Sequence, residues 1–252
     1  MPSLDESRPV ALITGGTSGI GLAAARVLHE QNHAVVVTGR NPERIEAARK
    51  TLPPDVVVVR ADARVLSDTQ SLADEIRTRF GRLDALFLNA GVGPMQPVEA
   101  VDEASFDDNF AVNVKGQFFT LQKVLPLLRE GSSVVLMSAL GVRVGVPNYS
   151  VATATRGATL AMVAPLAAEL APRRIRVNAV APSAIVTPAF EKLRLSPDAL
   201  AAFGKWVHGR LLVGRTGTAE DVARVVAFLV SPAAEFITGA CIPVDGGMAV
   251  SM

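Results

Sequence analysis

The sequence is poor in the residues that would commit it to several common chemistries. Its 252 residues include one cysteine, Cys241, so no internal disulfide forms within the chain, and a reducing compartment, the cytoplasm, is the expected home. The three histidines, His29, His33 and His208, have no Asp, Glu or Cys at ligand spacing, and no metal site is expected. His29 and His33 stand four apart near a helix end, where such residues commonly cap carbonyls. An excess of one charge is also missing. The 25 basic residues face 24 acidic ones, and a net charge of +1 provides no footprint for nucleic acid or an anionic membrane surface. Residues 1–8 carry acids and no apolar run, so no secretory signal is expected there. The longest uncharged helical stretch, residues 157–168, contains Pro165 and falls short of the ~20 residues of a membrane span.

What is present is a regular alternation. Runs at 10–14, 34–38, 55–60, 85–89, 133–137, 175–179 and 240–244 are apolar on consecutive residues, as strands are when both sheet faces are covered. Between them lie amphipathic segments at 21–31, 42–52, 65–80, 103–129, 153–171 and 219–229. Strand-helix alternation of this kind implies parallel strands joined by right-handed crossovers. The expected fold is α/β: a three-layer Rossmann fold with a doubly wound, seven-stranded parallel sheet, forming a single domain over residues 1–252 with no repeat and no linker. The alternation lapses only before the last helix, where residues 183–215 are longer than a connector needs. This segment, with a short helix at 197–206, reads as a substrate lid, or else as a surface excursion with packing duties alone.

The first strand runs into Thr14-Gly-Gly-Thr-Ser-Gly-Ile-Gly21 and then a helix. Glycines 15, 19 and 21 permit a tight turn and close approach of backbone to a ligand, and the helix N-terminus presents N–H groups to a pyrophosphate. The spacing Gly-x-x-x-Gly-x-Gly, with Asn89-Ala-Gly91 after the fourth strand, Asn113 in Asn-Val-Lys-Gly, Ser138 after the fifth strand and the ending Gly239-Ala-Cys-Ile-Pro-Val-Asp-Gly-Gly247, resembles the classical short-chain dehydrogenase/reductase family over essentially the whole chain. The resemblance implies cofactor contacts from Gly15, Thr17, Ser18, Gly19, Ile20, Gly21 and Asn89. It also implies adenine contact from Asp62, and a nicotinamide-holding segment with Ile185 and Thr187 in which Ser183 replaces the usual glycine. Two of the family's catalytic positions correspond to Asn113 and Ser138. At the end of the second strand, Gly39-Arg40 stands where an acid would repel a 2′-phosphate, so NADP(H) is expected over NAD(H). The alternative is a solvated Arg40 that merely begins the Asn41-Pro42 helix start.

The resemblance breaks at the family's Tyr-x-x-x-Lys pair. Counting from Gly145-Val-Pro147 forward and from Glu169-Leu-Ala171 backward puts Ala152 at the tyrosine position and Arg156 at the lysine position. An alanine donates no proton, and loss of a general acid commonly costs ~10²–10⁴ in rate. Arginine keeps the charge, and with it a hydrogen bond to the nicotinamide ribose, but is longer and planar. Three readings follow. Tyr149, three residues before Ala152, supplies the acid for hydride transfer to a small carbonyl or alcohol compound. Alternatively, Arg156, Ser138 and Asn113 form an oxyanion-binding set for an aldol, dehydration or cyclisation step. In the third reading the chain is a non-catalytic NADP-binding relative. The catalytic candidates are thus Ser138, Asn113, Tyr149 and Arg156, with Arg156 also on the cofactor side. By resemblance the long helix bearing Phe118-Phe119, and its successor, pair with a second subunit, so a homodimer or homotetramer is expected.

Overall fold

The computed structural model describes residues 8–187 and 197–251. Seven strands form one sheet in the order β3-β2-β1-β4-β5-β6-β7: β1 Val10–Ile13, β2 Ala34–Gly39, β3 Val57–Arg60, β4 Leu83–Leu88, β5 Leu128–Met137, β6 Arg176–Pro182 and β7 Cys241–Val244. Every neighbouring pair is parallel. Side chains alternate between faces, so each strand feeds two cores. Ala11, Ile13, Val35 and Val37 pack with α1 (Gly19–Glu30) and α8 (Ala219–Val230) on one face. Val10, Leu12 and Val36 pack with α3 (Leu66–Phe80), α5 (Gln117–Val124) and α6 (Ser150–Leu170) on the other. This double coverage is why the strands read as unbroken apolar runs. The chain winds outward from β1 to β3, then restarts at β4 on the opposite side. The crevice between the carboxyl ends of β1 and β4 is the ligand position such sheets provide.

The expected helix over 103–129 is not one helix. It divides into α4 (Glu103–Phe110), a π-helical turn at Ala111–Gly116, α5, and a 3₁₀ turn at Leu125–Leu127 containing Pro126. Its last residues, from Leu128, already belong to β5, which bulges against β4 before regular pairing resumes at Ser133. The π turn lies where Gly116 touches the loop after β3, close enough that a Cβ there would come within 2.8 Å of the Ala63 carbonyl. Such turns concentrate at functional sites because they re-aim one helical residue, here Asn113.

Helix α6 begins at Ser150, earlier than the expected 153, with Tyr149 as its N-cap residue. Together with the following 3₁₀ turn, Ser150–Arg173 is long and apolar enough by composition to cross a membrane, which the uncharged run at 157–168 does not suggest. Here it lies along β5 and β6 as a sheet-covering helix. Of the expected lid, residues 188–196 lie outside the described residues. Its helix α7 runs Pro197–His208, and Val207 and Leu211 pack with Leu140 and Met248.

Helix α8 braces α1 and thereby the glycine turn. It opens with a capping box in which Thr218 and Asp221 bond each other's backbone N–H, and Arg215 grips the Asp221 carboxylate at 2.6 and 2.9 Å. Those contacts, Arg215 foremost, hold the Asp221 carboxyl far below the usual carboxylate range. A carboxyl depressed in the folded state stabilises above its unfolded pKa of ~3.9 and loses that contribution as pH falls below it. Asp221→Ala should therefore lower unfolding free energy by about 1 kcal/mol at neutral pH. In urea titrations at pH 7 and pH 3, the gap to the unsubstituted protein should narrow at the lower pH.

Candidate active site

A cavity of about 1120 Å³ runs along the carboxyl ends of the strands, from Arg60 and Asp62 after β3 to Pro182 and Thr187 after β6. Its floor is the glycine turn. Gly15 has φ +64°, and a Cβ there would approach Ala90 Cα to 2.9 Å; at Gly21 one would reach Asn89 Nδ2 at 2.6 Å. Asn89 fixes the turn by donating from Nδ2 to the Thr14 and Gly15 carbonyls at 2.9 and 3.0 Å. Thr14 Oγ1 accepts in return from the Asn89 and Ala90 N–H groups. Helix α1 then opens with no side-chain cap and no acid in its first turn. Its N-terminal N–H groups and positive dipole end are the donor set that a pyrophosphate requires.

The β2–β3 end of the cavity is lined with guanidinium groups: Arg40, Arg44, Arg60 and Arg64. Arg44, on the first turn of α2 (Pro42–Thr51), donates to Ser18 Oγ at 3.5 Å. Asn41 caps α2 by accepting from Arg44 N–H, so Arg40 is left to face the cavity mouth, half exposed. Asp62 sits there too, but its carboxylate is already engaged. Arg64 binds it at 2.5–3.2 Å and reaches on to Asp108 of α4, while Arg40 stands 3.6 Å away. The Arg64 hydrogen bonds hold the Asp62 carboxyl below the ordinary range.

At the β4–β5 end, Ser138, Tyr149 and Arg156 line the same cavity. Arg156 Nη1 donates to the Met137 carbonyl at 2.8 Å, and its Nη2 occupies the place where a Cβ on Gly91 would sit. Burial pulls this guanidinium below the ordinary arginine range, opposed by the neighbouring Tyr149 phenol. Ser138 Oγ donates to the Arg156 carbonyl at 3.1 Å. Tyr149 is the chain's single tyrosine. Its hydroxyl and the Ala152 methyl converge on one point: a Cβ on Gly93 would lie 2.8 Å from the first and 3.3 Å from the second.

Asn113 is the exception among the catalytic candidates. It is fully buried and does not line the cavity. Its Oδ1 accepts from Val92 N–H, and its Nδ2 donates to the Val92 carbonyl and to Thr155 Oγ1, all at 2.8 Å. Gly21 lies beneath the turn and Ile185 in the core, both behind the cavity wall, whereas Gly15, Thr17, Ser18, Gly19, Ile20, Arg40, Asp62, Asn89, Arg156 and Thr187 all line it. Arg44, Arg64 and Val92 were not singled out from sequence, and Gly91 was read only as part of the Asn89-Ala-Gly91 element. The Arg-x-x-x-Arg spacing at 40 and 44 was the available signal for the first. No group of three or more His, Cys, Asp or Glu suited to a metal occurs among the described residues.

Comparison with known proteins agrees with this geometry. The family profile described as enoyl-(acyl carrier protein) reductase matches residues 15–249. The chain is 36% identical over 254 residues to versicolorin reductase of Emericella nidulans, covering 94% of each protein. The chain belongs to the short-chain dehydrogenase/reductase family. The crystal structure of levodione reductase superposes with a TM-score of 0.89 at 31% identity, over 97% of this chain and 98% of that one. That of a 3-ketoacyl-(acyl-carrier-protein) reductase from Brucella melitensis, complexed with NADH, gives 0.87 at 31% identity over 96% and 98%. The protein is thus an oxidoreductase of this family acting on a small molecule with a nicotinamide cofactor. The glycine cradle, where a Cβ would fill the space, and the uncapped helix fit that cofactor.

The Asn113 contacts yield a stability prediction. Asn113→Ala removes three hydrogen bonds, two of them to part-buried Val92 at the cavity wall and one to buried Thr155, at a cost of about 1 kcal/mol per bond lost. The urea midpoint should fall accordingly.

Proposed function

We propose that this protein is an NADP(H)-dependent reductase of a small carbonyl compound, with the phenol of Tyr149 as proton donor. The observation that carries this reading is the approach of the Tyr149 hydroxyl to Gly93 beside the Ala152 methyl, in the cavity shared with Ser138 and Arg156. The bound nicotinamide would supply the hydride. Tyr149 gives its proton to the carbonyl oxygen, which becomes the hydroxyl of the product. Arg156 lines the same cavity and interacts electrostatically with the phenol. Ser138 keeps oxygen lone pairs toward the cavity and holds the alcohol. The reductive direction is supported by the relatives, which are reductases by name.

The preference for NADP(H) rests on Arg40 and Arg44 at the end of β2, with no acid at that position. Two guanidinium groups suit a 2′-phosphate, since planar forks bind phosphate bidentately. The reading is completed by a cytoplasmic location and by a homodimer or homotetramer, supported by Phe106 and Phe118, 44% and 40% exposed on α4 and α5. The second expectation, a non-redox oxyanion site that includes Asn113, is disfavoured by the inward commitment of the Asn113 amide.

Calorimetric titration with NADPH and NADH in parallel should give the tighter binding to NADPH. Arg40→Ala should weaken NADPH and leave NADH nearly unchanged, while equal affinities for the two cofactors would overturn the preference. Tyr149→Phe should retain NADPH binding and lower kcat by ~10²–10⁴, as removal of a general acid does. Unchanged turnover would eliminate Tyr149 as the donor.

A further inference from the structure

We infer that Arg64, and not the carboxylate of Asp62, receives the cofactor's purine base, which packs on the face of a guanidinium held between two acids. A base received in this way is recognised by its ring and not by its exocyclic amino group, so the site takes a 6-oxopurine as readily as adenine. The premise is the family's nicotinamide cofactor. What changes is the adenine contact that the family resemblance assigns to Asp62.

The place of the base follows from the fold. In a doubly wound sheet the pyrophosphate lies at the end of the first strand, and the attached nucleoside extends over the ends of the strands beside it. Here those are β2 and β3, and Asp62 and Arg64 line the cavity directly after β3.

To accept from an amino group, a carboxylate needs a lone pair to spare, and it has about four acceptor sites in all. Asp62 Oδ1 accepts from the Arg64 backbone N–H at 3.1 Å and from Arg64 Nε at 3.0 Å. Its Oδ2 accepts from Arg64 Nε at 3.2 Å and from Nη2 at 2.5 Å, with Arg40 Nη1 3.6 Å away. Both oxygens are thus doubly engaged. The residue is also fixed at its backbone, where its N–H donates to the Asp68 carboxylate at 3.0 Å.

The same contacts make Arg64 present a face. Its Nε–Nη2 edge meets Asp62, and Nη1 donates to Asp108 of α4 at 2.7 Å. Hydrogen bonds to a guanidinium lie in its plane, so anchors on two separate elements lock that plane and commit its edges. A planar cation offered by its face suits a flat π-system. Exposure agrees with this role: the Arg64 side chain is 35% exposed and the Asp62 side chain 17%. Ala63, between the two, and Val112 give this part of the cavity apolar surface. A 2′-phosphate that drew Arg40 away would leave the Arg64 bonds to Asp62 in place.

The test reads affinity and needs no turnover. NADPH and NADH are each titrated beside the analogue in which hypoxanthine replaces adenine. In each pair the two affinities should agree within about threefold, because no hydrogen bond is lost with the amino group. A carboxylate that read the amino group would lose a charge-assisted bond to the hypoxanthine form, roughly tenfold or more in affinity. Such a preference for adenine overturns the inference, and needs no variant to do so. Arg64→Met, with thermal unfolding recorded, should bind both bases about fivefold or more weakly, as loss of a stacking partner does. With Asp62 released to accept, that variant should also acquire a preference for adenine that the unsubstituted protein lacks. Weakening without the new preference marks a merely structural Arg64 and overturns the inference, as does undiminished binding by a folded variant. Failure of all four compounds to bind the unsubstituted protein would strike the nicotinamide assignment itself, a result distinct from binding with discrimination between bases.

Discussion

The chemical end of this molecule depends on one buried amide. Asn113 holds Val92 by both backbone groups and ties it to Thr155 on α6, so the loop after β4 and the start of α6 behave as one piece. The residues on either side of Val92 are glycines, and each receives a side chain from α6 or its cap: Gly91 the Arg156 guanidinium, Gly93 the Tyr149 hydroxyl. Were the loop free to drift, neither group would have a fixed seat. The π turn is part of the same device. Thr159 donates to the Asn113 carbonyl as well as to that of Thr155, satisfying a backbone acceptor at the irregular turn.

Electrostatically the cavity has two unlike ends. The β2–β3 end is rich in charge of both signs, and the half-buried Asp62 carboxylate there is neutralised by Arg64 and Arg40. Charges there exchange partners at little cost because solvent reaches them. Among the described residues lining it, the β5 end has one cation, the part-buried Arg156, and no acid. The glycine turn and Asn89 lie between these two ends.

How much of this was legible in the sequence depends on how local each cause is. The seven strands and the glycine turn were legible, because double burial writes continuous apolar runs and the turn demands glycine at fixed places. The break of the 103–129 segment was not. A π turn adds one residue to a helix without disturbing the apolar pattern enough to be noticed, and the early start of β5 was absorbed into the same pattern. Arg44 escaped because its partner, Ser18, is distant in sequence, and so did the reach of Arg64 from its neighbour Asp62 on to Asp108. Asn113 was read from sequence as a catalytic residue, and only the fold reveals that its amide turns inward, away from the cavity.

Tyr149, Ala152 and Arg156 are best understood together. A phenol projecting from position 152, as the family resemblance would have it, would compete for the point beside Gly93 that the Tyr149 hydroxyl takes. Two rings do not share it, so the small alanine is the condition for the phenol's approach from the preceding turn. That approach has its own requirements. Asn148 adopts φ +64°, a conformation that asparagine tolerates better than most residues, and its carbonyl is pinned by Gln96 N–H at 2.7 Å. The Tyr149 carbonyl then accepts from Thr153 N–H at 2.8 Å and starts the helix. An arginine at 156 fits the same geometry, since its longer side chain crosses from α6 to Gly91 and Met137 while its charge still acts on the phenol. Each of the three residues would be a defect alone. In the proposed reading they supply, side by side, a proton donor, the space it needs and a cation in the same cavity, one helical turn away from where the family resemblance would put the phenol.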